Sequence, residues 1–243
     1  LAPTLLAGVP AIVKPATATS YLTEACFRLM IESSIFPDGS FQLIVGGTGD
    51  LLSRLGCQDV VSFTGSASTA LMLRSDRDLI EKSVRFVAEQ DSLNASILGP
   101  DAAPDTPEFD AFVREVVREM TVKAGQKCTA IRRIIVPDAQ VNAVIEAISA
   151  KLAKTVIGDP ALETTRMGAL ASAEQKADVL AKAAIIGSEC ERVFGDPDNF
   201  TVEGADALKG AFLPPMLFRC ADPDAATKTH STEAFGPVST VMG

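Results

Sequence analysis

Short apolar runs alternate with longer stretches whose apolar residues recur every three to four positions. Ala11-Ile12-Val13 reads as a buried strand, and Thr19-Ser20 opens a helix with apolar positions at Tyr21, Leu22, Ala25, Cys26, Leu29 and Met30. Pro37-Asp38-Gly39 marks a turn before a strand over Phe41 to Val45, after which Gly46-Gly47-Thr48-Gly49 leads into a helix from near Asp50. Val60 to Phe63 is a third strand, Thr64-Gly65-Ser66 a tight loop, Ala67 to Arg74 a short helix, and Val84 to Ala88 a fourth strand closed by Glu89. The second half repeats the rhythm less regularly. Helices are predicted over Phe109 to Val122, Val141 to Lys154 and Glu174 to Ile186, a strand over Ile131 to Val136, and surface loop over Gly195 to Gly210.

This order implies an α/β protein with parallel sheets covered by helices. We expect two such lobes sharing a cleft, residues 1–90 and residues 91–243. Ligands of parallel sheets bind at the carboxyl ends of the strands, so the loops after Val13, Val45, Phe63 and Ala88 are the first candidates for a site. The opening Leu1 to Ala7 followed by Gly8 reads as the end of a helix with its glycine cap, and Val241-Met242-Gly243 as the inside of a strand. Both ends of a longer domain are therefore expected to be missing.

Composition narrows the chemistry. A formal charge of −9 argues against a nucleic-acid partner, which needs clustered Lys and Arg. No apolar run approaches the ~20 residues of a membrane span, and the amino end does not read as a signal peptide, so the cytoplasm is expected. The five cysteines are scattered, and with one histidine neither a disulfide framework nor a metal site is predicted.

Four local features carry candidate chemistry, each with a plainer alternative. Gly65-Ser66 before a helix presents backbone N–H groups to an anion, or is a glycine turn with an ordinary cap. Lys14-Pro15 after the first strand reaches a ribose or phosphate, or is a surface lysine. Gly125-Gln126-Lys127-Cys128 gives an exposed thiol beside a positive charge, or a buried cysteine. Glu89, leaving an apolar strand, is a base with a raised pKa, or a solvated glutamate. The usual G-x-G-x-x-G of dinucleotide-binding folds is absent.

The order of these features resembles the aldehyde dehydrogenase family over nearly the whole chain. Ala7-Gly8 through Lys14-Pro15, Phe63-Thr64-Gly65-Ser66, Ala88-Glu89 and Gly125-Gln126-Lys127-Cys128 are similar to its motifs. So, downstream, are Gly158-Asp159-Pro160, Met167-Gly168-Ala169-Leu170, Phe212-Leu213-Pro214-Pro215 and Glu233-Ala234-Phe235-Gly236-Pro237. The resemblance implies a Rossmann-like cofactor lobe and a catalytic lobe, an NADP or NAD cofactor, and a dimer or larger homo-oligomer. It implies that Cys128 is the nucleophile and its N–H an oxyanion donor, with an asparagine upstream of Leu1 as the other. Glu89 would activate water; Lys14, Pro15, Thr17, Gly65 and Ser66 would hold the nucleotide; Glu233 and Phe235 would hold the nicotinamide ribose and ring.

A narrower resemblance, carried by Ile12 to Thr19, Asp91-Ser92-Leu93-Asn94 and Val116 to Arg133, is nearest to the member acting on a CoA-linked semialdehyde in phenylacetate degradation; the benzoyl-CoA degradation member is similar but less close over Phe212 to Pro237, and is the alternative. The phenylacetate member is fused to a hydratase-like domain, which this chain lacks. Two departures stand out. Gln90-Asp91-Ser92-Leu93 replaces the family's Leu-Gly-Gly-Lys after its glutamate, and Ala70 replaces a glycine. Thr17 stands where NAD-preferring members often carry a glutamate, so NADP is expected to be preferred. A CoA-acylating dehydrogenase, which does not need the glutamate, and a non-catalytic fragment that keeps the fold are the alternatives.

Overall fold

A computed structural model describes residues 1–243. The chain divides into two compact units, Leu1–Gln90 and Asp91–Gly243.

In the first unit, helix α1 (Ala2–Leu6) ends before Gly8, whose φ of +73° is the left-handed turn that glycine adopts without a Cβ penalty. Strand β1 (Ala11–Val13), a 3-10 turn (Thr17–Thr19), α2 (Ser20–Glu32) and β2 (Phe41–Leu43) follow. β1 and β2 pair in parallel. Phe41 is buried between Phe27 and Phe36, with edge-on ring centroids 4.9 and 5.0 Å away. β3 (Val60–Gly65), α3 (Ala67–Arg74), α4 (Arg77–Glu81) and β4 (Arg85–Gln90) complete the unit, β3 and β4 also parallel. Ser66 caps α3 by accepting from the Thr69 N–H at 3.3 Å, and Asp76 caps α4 in the same way.

Three expectations are corrected here. The segment after Asp50 forms only a 3-10 turn, Leu51–Arg54, because the chain is already extended at Leu55, with φ of −76° and ψ of 154°. The strand from Phe41 ends at Leu43. The α2 positions chosen as its core face are exposed at Tyr21, Leu22, Ala25, Cys26 and Leu29, since Phe27 on the other side turns inward to Phe41.

The second unit is built on one five-stranded sheet. Its members are β5 (Asn94–Ile97), β6 (Ile131–Ile135), β7 (Glu191–Phe194), β8 (Met216–Cys220) and β9 (Val238–Met242), in the order β5-β6-β9-β8-β7. All pairs are parallel except β7 with β8, a departure from the all-parallel expectation. Neither β7 nor β8 is announced by the apolar pattern. Helix α5 (Pro107–Thr121) starts with a Thr106 cap, Pro107, and the acids Glu108 and Asp110, all suited to the positive helix end. With α6 (Val141–Leu152) it covers one face: Val113, Val116, Met120, Val144 and Ile148 pack on Ile134, Leu217 and Val241. Helix α7 (Ala173–Gly187) belongs to the core on the other face, where Val179, Ala183 and Ile186 join Met216, Phe218 and Val238. Leu217 and Phe218 point to opposite cores, as strand alternation requires.

Candidate active site

The loop that carries Cys128 is shaped by backbone geometry that the sequence does not advertise. After α5 the chain takes three left-handed residues in a row, Lys123, Ala124 and Gly125, with φ of 54°, 51° and 67°. A Cβ on Gly125 would run into the carbonyl of Gly236, so the Gly-Gln step lets two backbones touch. Gln126 then bridges outward, accepting from the Ala171 N–H at 2.9 Å while its amide donates to the Lys123 carbonyl. The turn that follows leaves Cys128 exposed, three residues before the start of β6.

Cys128 is held from both sides through backbone carbonyls. Its own carbonyl accepts from Ser92 Oγ at 2.7 Å and from Asn94 Nδ2 at 2.5 Å. The carbonyl of Lys127, in the peptide before it, accepts from Arg132 Nη2 at 3.4 Å and from the Ala130 N–H at 3.2 Å. The N–H groups of Cys128 and Thr129 find no acceptor within this unit, which leaves two donors beside the thiol.

Lys127 does not supply the positive charge expected next to that thiol. Its ammonium lies 2.6 Å from Glu119 Oε1, with both side chains mostly buried, so the pair is internally compensated. The guanidinium in the neighbourhood is Arg132, which is 5% exposed and which the sequence reading did not single out. It donates to Gly236 O at 2.6 Å and Gly125 O at 2.8 Å, lies 3.7 Å from Glu233 Oε1, and stands 5.7 Å from the Phe235 ring centre. Two consecutive arginines inside the apolar run Ile131 to Ile135 were the available signal, because charge in a buried strand is tolerated only with dedicated partners. Arg133 alternates to the other face and donates twice to the Leu93 carbonyl.

Glu233 is buried. Its Oε2 accepts from the Ser92 N–H at 3.2 Å, whereas Oε1 is buried without a hydrogen-bond partner. Desolvation pushes its pKa up, opposed by the Ser92 N–H and the Arg132 charge. Arg132 is shifted down by its own burial, opposed by Glu233. Phe235, two residues on, is half-buried and its carbonyl accepts from Gln175 Nε2 at 3.0 Å. A buried carboxylate oxygen lacking a donor fits a sugar hydroxyl, so Glu233 suits the ribose of a nicotinamide cofactor.

The remaining predicted positions lie in the first unit. Lys14 follows β1 and is exposed, with Pro15 partly covered and Thr17 exposed at the start of the 3-10 turn. Gly65 ends β3 and Ser66 caps α3. The glycine replaced by Ala70 faces inward, and its methyl is buried. Glu89 lies inside β4 rather than beyond its tip and is exposed; the apolar enclosure expected around it is not formed within this unit. Of the other cysteines, Cys26 and Cys57 are exposed while Cys190 and Cys220 are buried. Burial and the neighbouring Cys190 push the Cys220 thiol up to about 11. His230 shares a hydrogen bond with the Pro223 carbonyl and serves packing.

Cys128 thus lies exposed on a loop whose flanking carbonyls are held, and Ser92 links that loop to the buried Glu233. Residues 1–243 match the aldehyde dehydrogenase family, and the chain belongs to it. It is 47% identical over 241 residues to 3,4-dehydroadipyl-CoA semialdehyde dehydrogenase of Aromatoleum evansii, an alignment covering 99% of this chain and 47% of that protein. N-succinylglutamate 5-semialdehyde dehydrogenase 1 of Caulobacter vibrioides is 29% identical, over 98% of this chain and 48% of the relative. Among solved structures, a double mutant of betaine aldehyde dehydrogenase from Staphylococcus aureus in complex with NAD+ superposes with a TM-score of 0.84 at 26% identity, covering 100% of this chain and 47% of that one. The chain thus spans about half the length of the curated relatives it matches.

Proposed function

We propose that the intact protein oxidises a CoA-linked semialdehyde to its carboxylic acid during aromatic catabolism, through a thioester on Cys128. The observation that carries this reading is the exposed Cys128 on a loop whose flanking carbonyls are both held and whose N–H is left without an acceptor. The thiolate of Cys128 adds to the aldehyde carbonyl, and the oxygen that gains the electron pair is stabilised by the Cys128 N–H. A nicotinamide bound there would supply the oxidising power, taking the hydride that leaves the former aldehyde carbon as its C=O re-forms to give the thioester on Cys128. Glu89 then takes a proton from water, which attacks the thioester and releases the acid and the thiol.

Glu233 and Phe235 hold the nicotinamide ribose and ring edge in this scheme, and Lys14, Pro15, Thr17, Gly65 and Ser66 the rest of the nucleotide. NADP is the preferred form, supported by Thr17 at a position where a carboxylate would repel a 2′-phosphate. Retention of Glu89 favours hydrolysis over transfer of the acyl group to CoA. The substrate class is supported by the 47% identical relative, whose name specifies 3,4-dehydroadipyl-CoA semialdehyde. A phenylacetate-pathway semialdehyde shares the same chemistry, a free aldehyde on a CoA thioester, and comes with fusion to a hydratase domain. We place the enzyme in the cytoplasm as a homo-oligomer; five unpaired thiols suit a reducing compartment, and no helix is long and apolar enough to cross a membrane.

The test is Cys128→Ala in the intact protein, combined with peptide-resolved iodoacetamide labelling. Oxidation should vanish while cofactor still binds. In the unmodified protein Cys128 should alkylate fastest, ahead of Cys26 and Cys57, and Cys190 and Cys220 not at all at neutral pH. Oxidation surviving the substitution contradicts the proposal.

A further inference from the structure

The catalytic scheme uses the Cys128 thiol and its N–H, but neither can aim itself in an exposed turn. A trans peptide is planar, so the carbonyl of Lys127 and the N–H of Cys128 point in opposite directions along one rigid unit. Whatever grips the Lys127 oxygen therefore aims the Cys128 N–H. Arg132 grips it at 3.4 Å while also donating to Gly125 O at 2.8 Å and Gly236 O at 2.6 Å. On the other flank, Ser92 Oγ and Asn94 Nδ2 both donate to the Cys128 carbonyl, at 2.7 and 2.5 Å, and so fix the next peptide.

We propose that Arg132, with Ser92 and Asn94, forms a clamp that orients the two peptides flanking Cys128 and thereby aims its N–H at the developing oxyanion. Arg132 is the positioning residue at its centre. It ties the nucleophile loop to the Glu233–Gly236 segment, through Gly236 O, the Glu233 carboxylate at 3.7 Å and the Phe235 ring. The thiol loop and the residues assigned to the nicotinamide are thus set by one planar cation. Lysine cannot replace it, because a single ammonium lacks the fork that reaches three carbonyls at once. This inference rests on Cys128 being the nucleophile. It adds that orientation, rather than local positive charge from Lys127, is what this loop contributes.

The test uses the intact protein and separates aiming from thiol availability. Arg132→Lys and the double variant Ser92→Ala/Asn94→Ala are compared with the parent by two readouts. One is the first-turnover rate of reduced-nicotinamide formation with saturating NADP and an aliphatic semialdehyde; the other is the iodoacetamide rate at Cys128 without cofactor. A lost oxyanion donor costs on the order of 10²–10³ in rate, and a misaimed one should cost less, about 10- to 100-fold. The clamp predicts that loss in the first readout for Arg132→Lys and at least about 5-fold for the double variant, with alkylation within about 3-fold of the parent. First-turnover rates within about 2-fold of the parent overturn the proposal, and so does alkylation that falls in step with turnover, which would mean a merely disordered loop. If Arg132→Lys does not fold, the double variant decides by the same limits. Cys128→Ala run alongside keeps the two ideas apart: activity without the thiol refutes the nucleophile, whereas a dead Cys128→Ala with unaffected clamp variants refutes only the clamp.

Discussion

Glu89 stands directly across from Thr64 in the parallel register of β3 and β4, and the next pair is Gln90 with Gly65. The residue proposed to activate water and the loop proposed to hold the nucleotide therefore share one sheet end. Alternation along β4 puts Glu89 on the face of Val87, opposite Ala88 and Gln90. The loss of the two glycines usual after this glutamate falls just beyond that pairing, where Ser92 has gained contacts to Cys128 and Glu233 instead. That substitution reads as a replacement of backbone freedom by side-chain anchoring.

Cofactor choice is predicted to depend on Thr17. With no carboxylate there and Lys14 exposed nearby in sequence, kcat/KM for NADP should exceed that for NAD by about tenfold or more in the intact protein. Thr17→Glu should swing the ratio toward NAD by on the order of 10–100-fold, since a like charge is placed against the 2′-phosphate. Steady-state kinetics with both cofactors measure this, and a tenfold NAD preference in the parent contradicts it.

Gly125 is predicted to be intolerant of any side chain. Its φ of +67° is costly for other residues, about 1–2 kcal/mol, and its added methyl would meet the Gly236 carbonyl as well. Gly125→Ala should destabilise the protein by about 3 kcal/mol or more in urea unfolding. Gly168→Ala is the control, because a methyl there meets nothing within 4 Å; it should cost less than about 1 kcal/mol. Equal costs would mean that the contact between the Gly125 and Gly236 backbones is not maintained in solution.

Glu233 should give stability a pH dependence of definite sign. Burial raises its folded pKa, the Ser92 N–H and Arg132 notwithstanding. A raised carboxylate contributes stability that is fully present below its unfolded pKa, about 4.3, and is lost as pH rises through the higher folded value. Glu233→Gln removes that loss. Relative to the parent, the variant should therefore gain stability as pH climbs from about 4 upward, read by thermal or urea unfolding across the range. A gap moving the other way would mean that the Arg132 ion pair outweighs desolvation.

Much of the fold could be read from residue pattern. Helix α3 follows from Gly65-Ser66 and its cap, and α5 from the Thr106-Pro107 start and a 3-4 apolar repeat that buries Val113, Val116 and Met120. What the pattern lacked was direction and partner. In α2 the repeat was visible but the buried side was not, because Phe27 alone decided it through Phe41. β7 is short and mixes two charges into four residues, and β8 lies behind two prolines, so neither shows the usual alternation. At the site, motif order found Cys128, Glu89, Glu233 and Phe235 as candidates. It missed Arg132 and Ser92, whose contacts to Gly236 and Glu233 bridge 104 and 141 residues. It also misjudged Lys127, whose partner Glu119 lies in the preceding helix, eight residues back.

A covalent acyl group on one sulfur is the claim most directly open to measurement. The intact Glu89→Gln protein, mixed with cofactor and semialdehyde and quenched within the first turnover, should give a burst of reduced nicotinamide near one equivalent per active subunit. Mass spectrometry of its peptides should then find the acyl mass on the fragment carrying Cys128. Steady full turnover with no adduct at Cys128, or an adduct on another cysteine, would contradict the account.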